Sequence, residues 1–301
     1  GTAMWDFRWM VGRSRSVGRA TLNAHVSPVL LRQEIGRRLR AARETAGLPL
    51  EVAAPLLETS TSTLSRVEKG ITGVTVHLVR SMMDAYNQRL DELLELVRAS
   101  KRPGWWKGYG ISDTDFVALE TGASAMFNYE LSFVPGLLQI ADYTRALFES
   151  ARRRRDEEWI DNQLTVRSIR QERLTDESRP LMLDAVVHEF ALRFPVGGPD
   201  VMRAQLRHLA LVTELPTVTL RVLPAAMITN EAMEGSLLVL DFSWAEQPSS
   251  AHLMHALGSE RKEKADQVRA VRLRFEHLRS LALDPEESVA FIERLSEPSG
   301  K

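Results

Sequence analysis

Between Leu30 and Val97 the apolar residues recur every three or four positions, in five short runs separated by turn-forming residues. Leu31, Ile35, Leu39, Ala42 and Ala46 form the first stripe, which predicts a helix from Leu30 to Ala46 closed by Gly47. Arg32, Arg37, Arg38, Arg40 and Arg43 read as its polar covering. Leu50, Ala53, Ala54 and Leu57 mark a second helix, short, with two small residues that let another helix cross closely. Leu64 and Val67 mark a third, which starts at Ser60, whose hydroxyl suits an N-cap, and stops at Gly70. Thr75 can cap a fourth, carrying Val76, Val79, Met82, Met83 and Tyr86, and Leu90, Leu93, Leu94 and Val97 give a fifth.

The second and third of these runs, joined by a tight turn, predict a helix-turn-helix. The third helix would turn Thr61, Ser62, Thr63, Arg66 and Lys69 outward, hydroxyls first and cations after. That order suits a groove edged with base acceptors and lined by phosphates. The competing reading is a solvated face on a small helical bundle.

After Val97 the pattern breaks. Lys101-Arg102-Pro103-Gly104 reads as a hinge, and Trp105-Trp106 brings a large apolar surface just beyond it, either to dock a second domain or to clamp a ligand. Thereafter β-rich or alternating runs at 127–134, 181–188, 217–223, 236–242 and 251–257 mix with helical runs at 141–149, 156–174, 199–214, 264–283 and 286–295. Strands and helices do not alternate strictly, so the expectation is an all-α N-terminal domain followed by a larger α+β domain. The predicted division is a flexible arm over 1–27, a DNA-binding domain over 28–100, a linker over 101–112 and the α+β domain over 113–301.

Composition narrows the function. The chain has 301 residues, 44% of them hydrophobic, enough for two cores. No run of about 18 apolar residues occurs, and the start lacks a signal-peptide core, so the expected location is the cytoplasm. Without cysteine there is neither a disulfide nor a thiolate zinc site. The net charge of −1 conceals an asymmetry: residues 1–87 hold 12 Lys/Arg against 7 Asp/Glu, and the remainder is acidic. The front of the chain is the part suited to a polyanion. Arg8, Arg13, Arg15 and Arg19 could form an arm reaching DNA, although a loose terminal extension is the simpler reading. The run Arg152 to Arg155, followed by three acids, reads as a charged surface before it reads as a second nucleic-acid contact.

A search for catalysis finds little. There is no phosphate-cradling G-x-x-x-x-G-K-[ST], no G-x-S-x-G elbow and no dinucleotide fingerprint. His188-Glu189 lacks the second histidine of H-E-x-x-H, and His252 and His255 would point to opposite faces of a strand. The expectation is a protein without enzymatic activity, cofactor or metal.

The segment STSTLSRVEKG, residues 60–70, resembles the recognition helix of Cro/CI-type regulators, the XRE group. Pro49 and Leu50 depart from that pattern, standing where a Ser/Thr cap and a phosphate-touching Gln are usual, and Thr61 replaces a common base-reading Gln. Carried over residue by residue, the pattern implies that Thr61, Ser62 and Arg66 face base edges while Arg43, Ser65 and Lys69 meet phosphates. A wider resemblance rests on Gly104-Trp105-Trp106, YELSFVPGLLQIADYTRAL (129–147), RSIRQERL (167–174), LDAVVHEFALRFPVGGPDVMRAQLRHL (183–209), VTLRVLP (218–224) and LDPEESVAFI (283–292). Together these are similar to an actinobacterial regulator family in which an XRE-type helix-turn-helix precedes a long C-terminal domain. Members are often encoded beside a small partner protein and have been described as antitoxin-like. The resemblance implies a homodimer on double-stranded DNA, modulated through the second domain by a small protein partner or a small-molecule effector. It implies no catalytic residue.

Overall fold

The computed structural model describes residues 27–111, 116–151, 155–227, 229–243, 247–255 and 258–297. They fall into two compact units divided between Gly122 and Ala123. The arginines at 8, 13, 15 and 19, and those at 152–154, lie outside the described residues.

The first unit is helical: α1 (Pro28–Thr45), α2 (Leu50–Leu56), α3 (Thr61–Glu68), α4 (Val76–Tyr86), α5 (Glu92–Ser100) and α6 (Phe116–Glu120), with a 3-10 turn over Trp105–Tyr109. Pro28 opens α1, where its missing N–H costs nothing. Ser60 and Thr75 cap α3 and α4 through their hydroxyls, each accepting a backbone N–H at 3.1 Å. The periodic apolar residues meet in one core: Ile35 and Leu39 from α1, Ala53 and Ala54 from α2, Leu64 and Val67 from α3, Val79, Met82 and Tyr86 from α4, and Leu93 and Val97 from α5. Trp106 is buried and Trp105 donates its indole N–H to Thr121 Oγ1 at 3.3 Å.

The second unit is built on a six-stranded mixed sheet. Its strands are β1 (Ala125–Glu130), β2 (Met182–His188), β3 (Val218–Leu223), β4 (Leu237–Asp241), β5 (Ser250–His255) and β6 (Gly258–Lys262), in the spatial order β3-β2-β1-β4-β5-β6. Strands β1, β2 and β3 are parallel, and β4, β5 and β6 follow antiparallel. The parallel strands require crossovers, supplied by α7 (Ala141–Glu149) and α8 (Glu157–Gln171) between β1 and β2, and by α9 (Glu189–Arg193) and α10 (Pro199–Val212) between β2 and β3. Helix α11 (Asn230–Met233) precedes β4, and α12 (Ala265–Leu281) and α13 (Pro285–Ser296) follow β6. Helix α12 lays Val268, Val271, Phe275 and Leu278 on a sheet face made by Tyr129, Val186, Val239 and Ala251. The β3 edge is closed: Val222 N–H donates to Ser288 Oγ at 2.9 Å and Val222 C=O accepts from Leu283 N–H at 2.9 Å. At the other edge, β6 is short and charged, a combination that discourages pairing with another chain.

The fold is therefore the helical domain plus α+β domain expected, with local corrections. The strand expected over 127–134 ends at Glu130, because Val134 N–H leaves the ladder to bond Tyr143 Oη at 3.2 Å. Strand β6, with the sequence GSERK, carries no apolar alternation and was not foreseen, nor were α6, α9 and α11.

Candidate nucleic-acid interface

Helices α2 and α3 are joined by a four-residue connection, Leu57 to Ser60, in which Glu58 adopts φ +51° and Thr59 N–H returns to Ala54 C=O at 3.0 Å. Ala53 and Ala54 are fully buried at the crossing. The amphipathic split of α3 follows the sequence pattern: Leu64 and Val67 are buried, while Thr61, Ser62, Thr63, Arg66 and Lys69 are exposed and Ser65 is half-buried. Five of the six residues expected to touch DNA thus share the outer surface of one helix and its cap.

Arg43 does not join them, and its assignment to phosphate is corrected. It is 6% exposed, and its guanidinium is committed to Glu68, Nε to Oε1 at 2.6 Å and a terminal nitrogen to Oε2 at 2.8 Å. The other terminal nitrogen donates to Leu48 C=O at 2.7 Å. The hydrogen bonds and charge of Glu68 hold the Arg43 guanidinium above its ordinary pKa, so it remains a cation inside the domain. Nearby Tyr86 has its hydroxyl pushed up to about 12 by burial and by the Glu68 charge. Three more α1 cations are also engaged: Arg37 and Arg38 with buried Glu34, and Arg40 with Glu44 at 2.7 Å. Helix α1 is a laced support, and the cations α3 turns outward are Arg66 and Lys69.

Two glycines set how α3 sits on that support. A Cβ on Gly36 would lie 2.5 Å from the carbonyl oxygens of both Val67 and Glu68, so α1 and the last turn of α3 touch backbone to backbone. Gly70 has φ +67°, and a Cβ there would lie 2.5 Å from the Gln33 α-carbon. The loop beyond Gly70 folds back on α3. Ile71 and Thr72 both donate their backbone N–H to Arg66 C=O, at 3.0 and 3.3 Å, and Arg66 Nε donates to Thr72 Oγ1 at 3.3 Å. Sequence reasoning passed over Thr72, and only the fold-back brings it to Arg66.

Among its described residues the second unit contains no comparable constellation. Among the described residues no group of His, Asp and Glu could hold a metal ion, and no helix is long and apolar enough to cross a membrane. His252 is buried on β5, with Nε2 3.0 Å from Ser250 Oγ, while His255 is exposed. Asp184 is shared between Arg221 at 2.7 Å and Arg279 at 3.1 Å, an ion cluster that ties β2, β3 and α12 together.

This geometry defines the first unit as a helix-turn-helix DNA-binding domain, and a helix-turn-helix family model matches residues 34–96. Residues 113–294 match the family described as a domain of unknown function, DUF5753, and the chain belongs to that family. Neither the curated proteins nor the solved structures compared with the chain gave a match. A DNA-binding front end favours a regulator over an enzyme.

Proposed function

We propose that the protein is a sequence-specific transcriptional regulator of the XRE type that binds duplex DNA as a homodimer in the cytoplasm. The observation that carries this reading is the two-sidedness of α3, with Leu64 and Val67 inside and Thr61, Ser62, Arg66 and Lys69 outside. In the complex, Thr61 and Ser62 donate to or accept from base edges, Arg66 forks onto a guanine, and Ser65 and Lys69 fix phosphates. Two such helices read half-sites about one helical turn apart. The test is selection of duplexes from a random pool by the full chain, followed by titration of the enriched duplex across salt. A paired motif with half-sites about 10 base pairs apart is expected. No enrichment, with no binding at low ionic strength, overturns the reading.

The second unit is the place where a small protein partner or an effector acts. Six of its nine exposed large apolar side chains among the described residues lie at one end of the sheet. Phe133 follows β1, Phe190 and Phe194 follow β2, Met227 follows β3, Met233 precedes β4 and Met254 is near the end of β5. The strand directions bring all six to that end. Ligands of sheets with parallel strands and helical crossovers gather at their carboxyl ends, and methionine adapts to varied apolar surfaces. His188, buried at the end of β2, accepts Phe190 N–H at Nδ1 at 3.1 Å, leaving its proton on Nε2, which has no protein partner among the described residues. This edge also favours the alternative, an antitoxin-like module that sequesters a small protein and binds DNA only for autoregulation. Mapping of bound DNA in the native host separates the two: occupancy confined to the protein's own promoter, with a stoichiometric small protein that is lost in a Phe190→Asp, Phe194→Asp variant still able to bind DNA, supports the alternative, whereas occupancy at other promoters supports the regulator.

A further inference from the structure

Ile71 is the most exposed large apolar side chain among the described residues, 62% open. A single exposed aliphatic is ordinary on a protein surface, but this one is set apart by its position. Its N–H is bonded to Arg66 C=O, and the next residue holds Arg66 Nε through a hydroxyl, so the backbone of Ile71 is anchored to the residue that carries the outward guanidinium. The loop is also fixed from behind, because Gly70 packs its α-carbon against the backbone of α1 at Gln33. From Gly70 to Val76 the chain carries no charged side chain. A loop of that composition gains little from the phosphate backbone, although it adjoins the surface that meets it. The apolar group displayed in a major groove is the C5-methyl of thymine, the feature that distinguishes A·T from the other pairs by contact rather than by hydrogen bonding.

We infer that Ile71 is a specificity-determining residue that packs on a thymine methyl in the base pair next to the one Arg66 reads. The inference rests on the DNA-reading function proposed above, and it adds an apolar contact to a site otherwise made of hydroxyls and cations.

The test uses the full chain and the duplex it selects, with each thymine replaced singly by deoxyuridine, which deletes the methyl and nothing else. At one thymine in each half-site, deoxyuridine weakens the wild-type protein about fourfold, the worth of one buried methyl group. Ile71→Ala binds the unmodified duplex more weakly and loses nothing further at that position, whereas Ile71→Val keeps part of the discrimination. Because the side chain is exposed, the thermal unfolding of both variants matches wild type. Equal losses in wild type and Ile71→Ala at every thymine, or no loss at any, overturn the assignment to Ile71 while leaving DNA reading intact. Failure of the wild-type chain to select any duplex removes both.

Discussion

Arg43 on α1 and Glu68 at the end of α3 face each other as a fork and a carboxylate, joined by hydrogen bonds of 2.6 and 2.8 Å inside the helical domain. Both side chains are almost wholly out of water, at 8% and 4% exposure. The pair meets where Gly36 lets α1 approach the backbone of Val67 and Glu68, so the charge contact and the steric contact fix the same joint. The consequence for function is orientational: the pitch of α3 against its support decides where Thr61, Ser62 and Arg66 point.

Removing one member of this pair strands the other charge in a poor solvent. Arg43→Met should cost about 3–5 kcal/mol of stability, because Glu68 then lies buried without its partner. The double variant Arg43→Met, Glu68→Leu should recover most of that loss, since both desolvation penalties disappear together. Urea denaturation of the full chain measures both. If the single and double variants are equally destabilised, the pair contributes little beyond the space it fills.

Arg66 and Lys69 stand one helical turn apart on the same outer face and should fail differently. Arg66→Ala is expected to cost about 1–3 kcal/mol on the selected duplex and to relax base preference at one position. Lys69→Ala should weaken every duplex alike and lower the slope of log K against log salt by about 0.9, one phosphate contact. Titrations on selected and scrambled duplexes at several salt concentrations distinguish these outcomes. Identical behaviour of the two variants would show that neither residue reads a base.

Most of the helical domain was legible because its periodicity, caps and terminal glycines agree with one another. The misplacement of Arg43 came from reading residue type ahead of position. Arg43 follows Leu39 by four residues and Glu68 follows Leu64 by four, so both charges occupy inward stripes of their helices. Two opposite charges on inward stripes of packed helices are the signature of a buried pair, and that signal was available. Gly36 was a second one, since a glycine inside a helix usually has a packing reason. In the sheet, β2 and β3 could be found because apolar β-branched residues run through them, as expected for parallel strands covered on both faces. Strand β6 could not, because its pairing with β5 is a matter of backbone hydrogen bonds and its side chains are those of a solvated edge. The gathering of Phe and Met at one sheet end is likewise invisible without the strand order, since the six residues span more than a hundred positions of chain.

His252 sets a pH dependence whose sign follows from its burial. Desolvation on β5, with the Arg261 charge across on β6, lowers its pKa from 6.5 to about 4. Below pH 6.5 the unfolded chain takes up a proton that the folded chain refuses until about pH 4, so stability is present above 6.5 and is lost as the pH falls through this window. The full difference amounts to about 3 kcal/mol. Denaturation of wild type and His252→Asn at pH 7 and pH 4.5 should show a steeper decline in wild type, the excess being this histidine. Parallel declines in the two proteins would mean that His252 gains its proton as readily folded as unfolded.

Gly47 and Gly70 allow a controlled comparison, because their backbones are nearly the same and their surroundings are not. Both end helices with left-handed conformations, at φ +69° and +67°. Nothing lies within 4 Å of a Cβ built on Gly47, whereas one on Gly70 would meet the Gln33 α-carbon and nitrogen at 2.5 and 2.6 Å. Alanine at Gly47 should therefore cost only the conformational penalty, about 1 kcal/mol. Alanine at Gly70 adds a clash with α1 backbone, which cannot turn aside as a side chain can, for about 1–3 kcal/mol more. Relief of that clash moves α3 and the Ile71 loop away from α1, so Gly70→Ala should also bind the selected duplex more weakly, while Gly47→Ala binds it as wild type does. Thermal unfolding and duplex titration of the two variants measure the separate terms. Equal destabilisation at both sites would show that α1 and the end of α3 are farther apart in solution than a backbone contact requires.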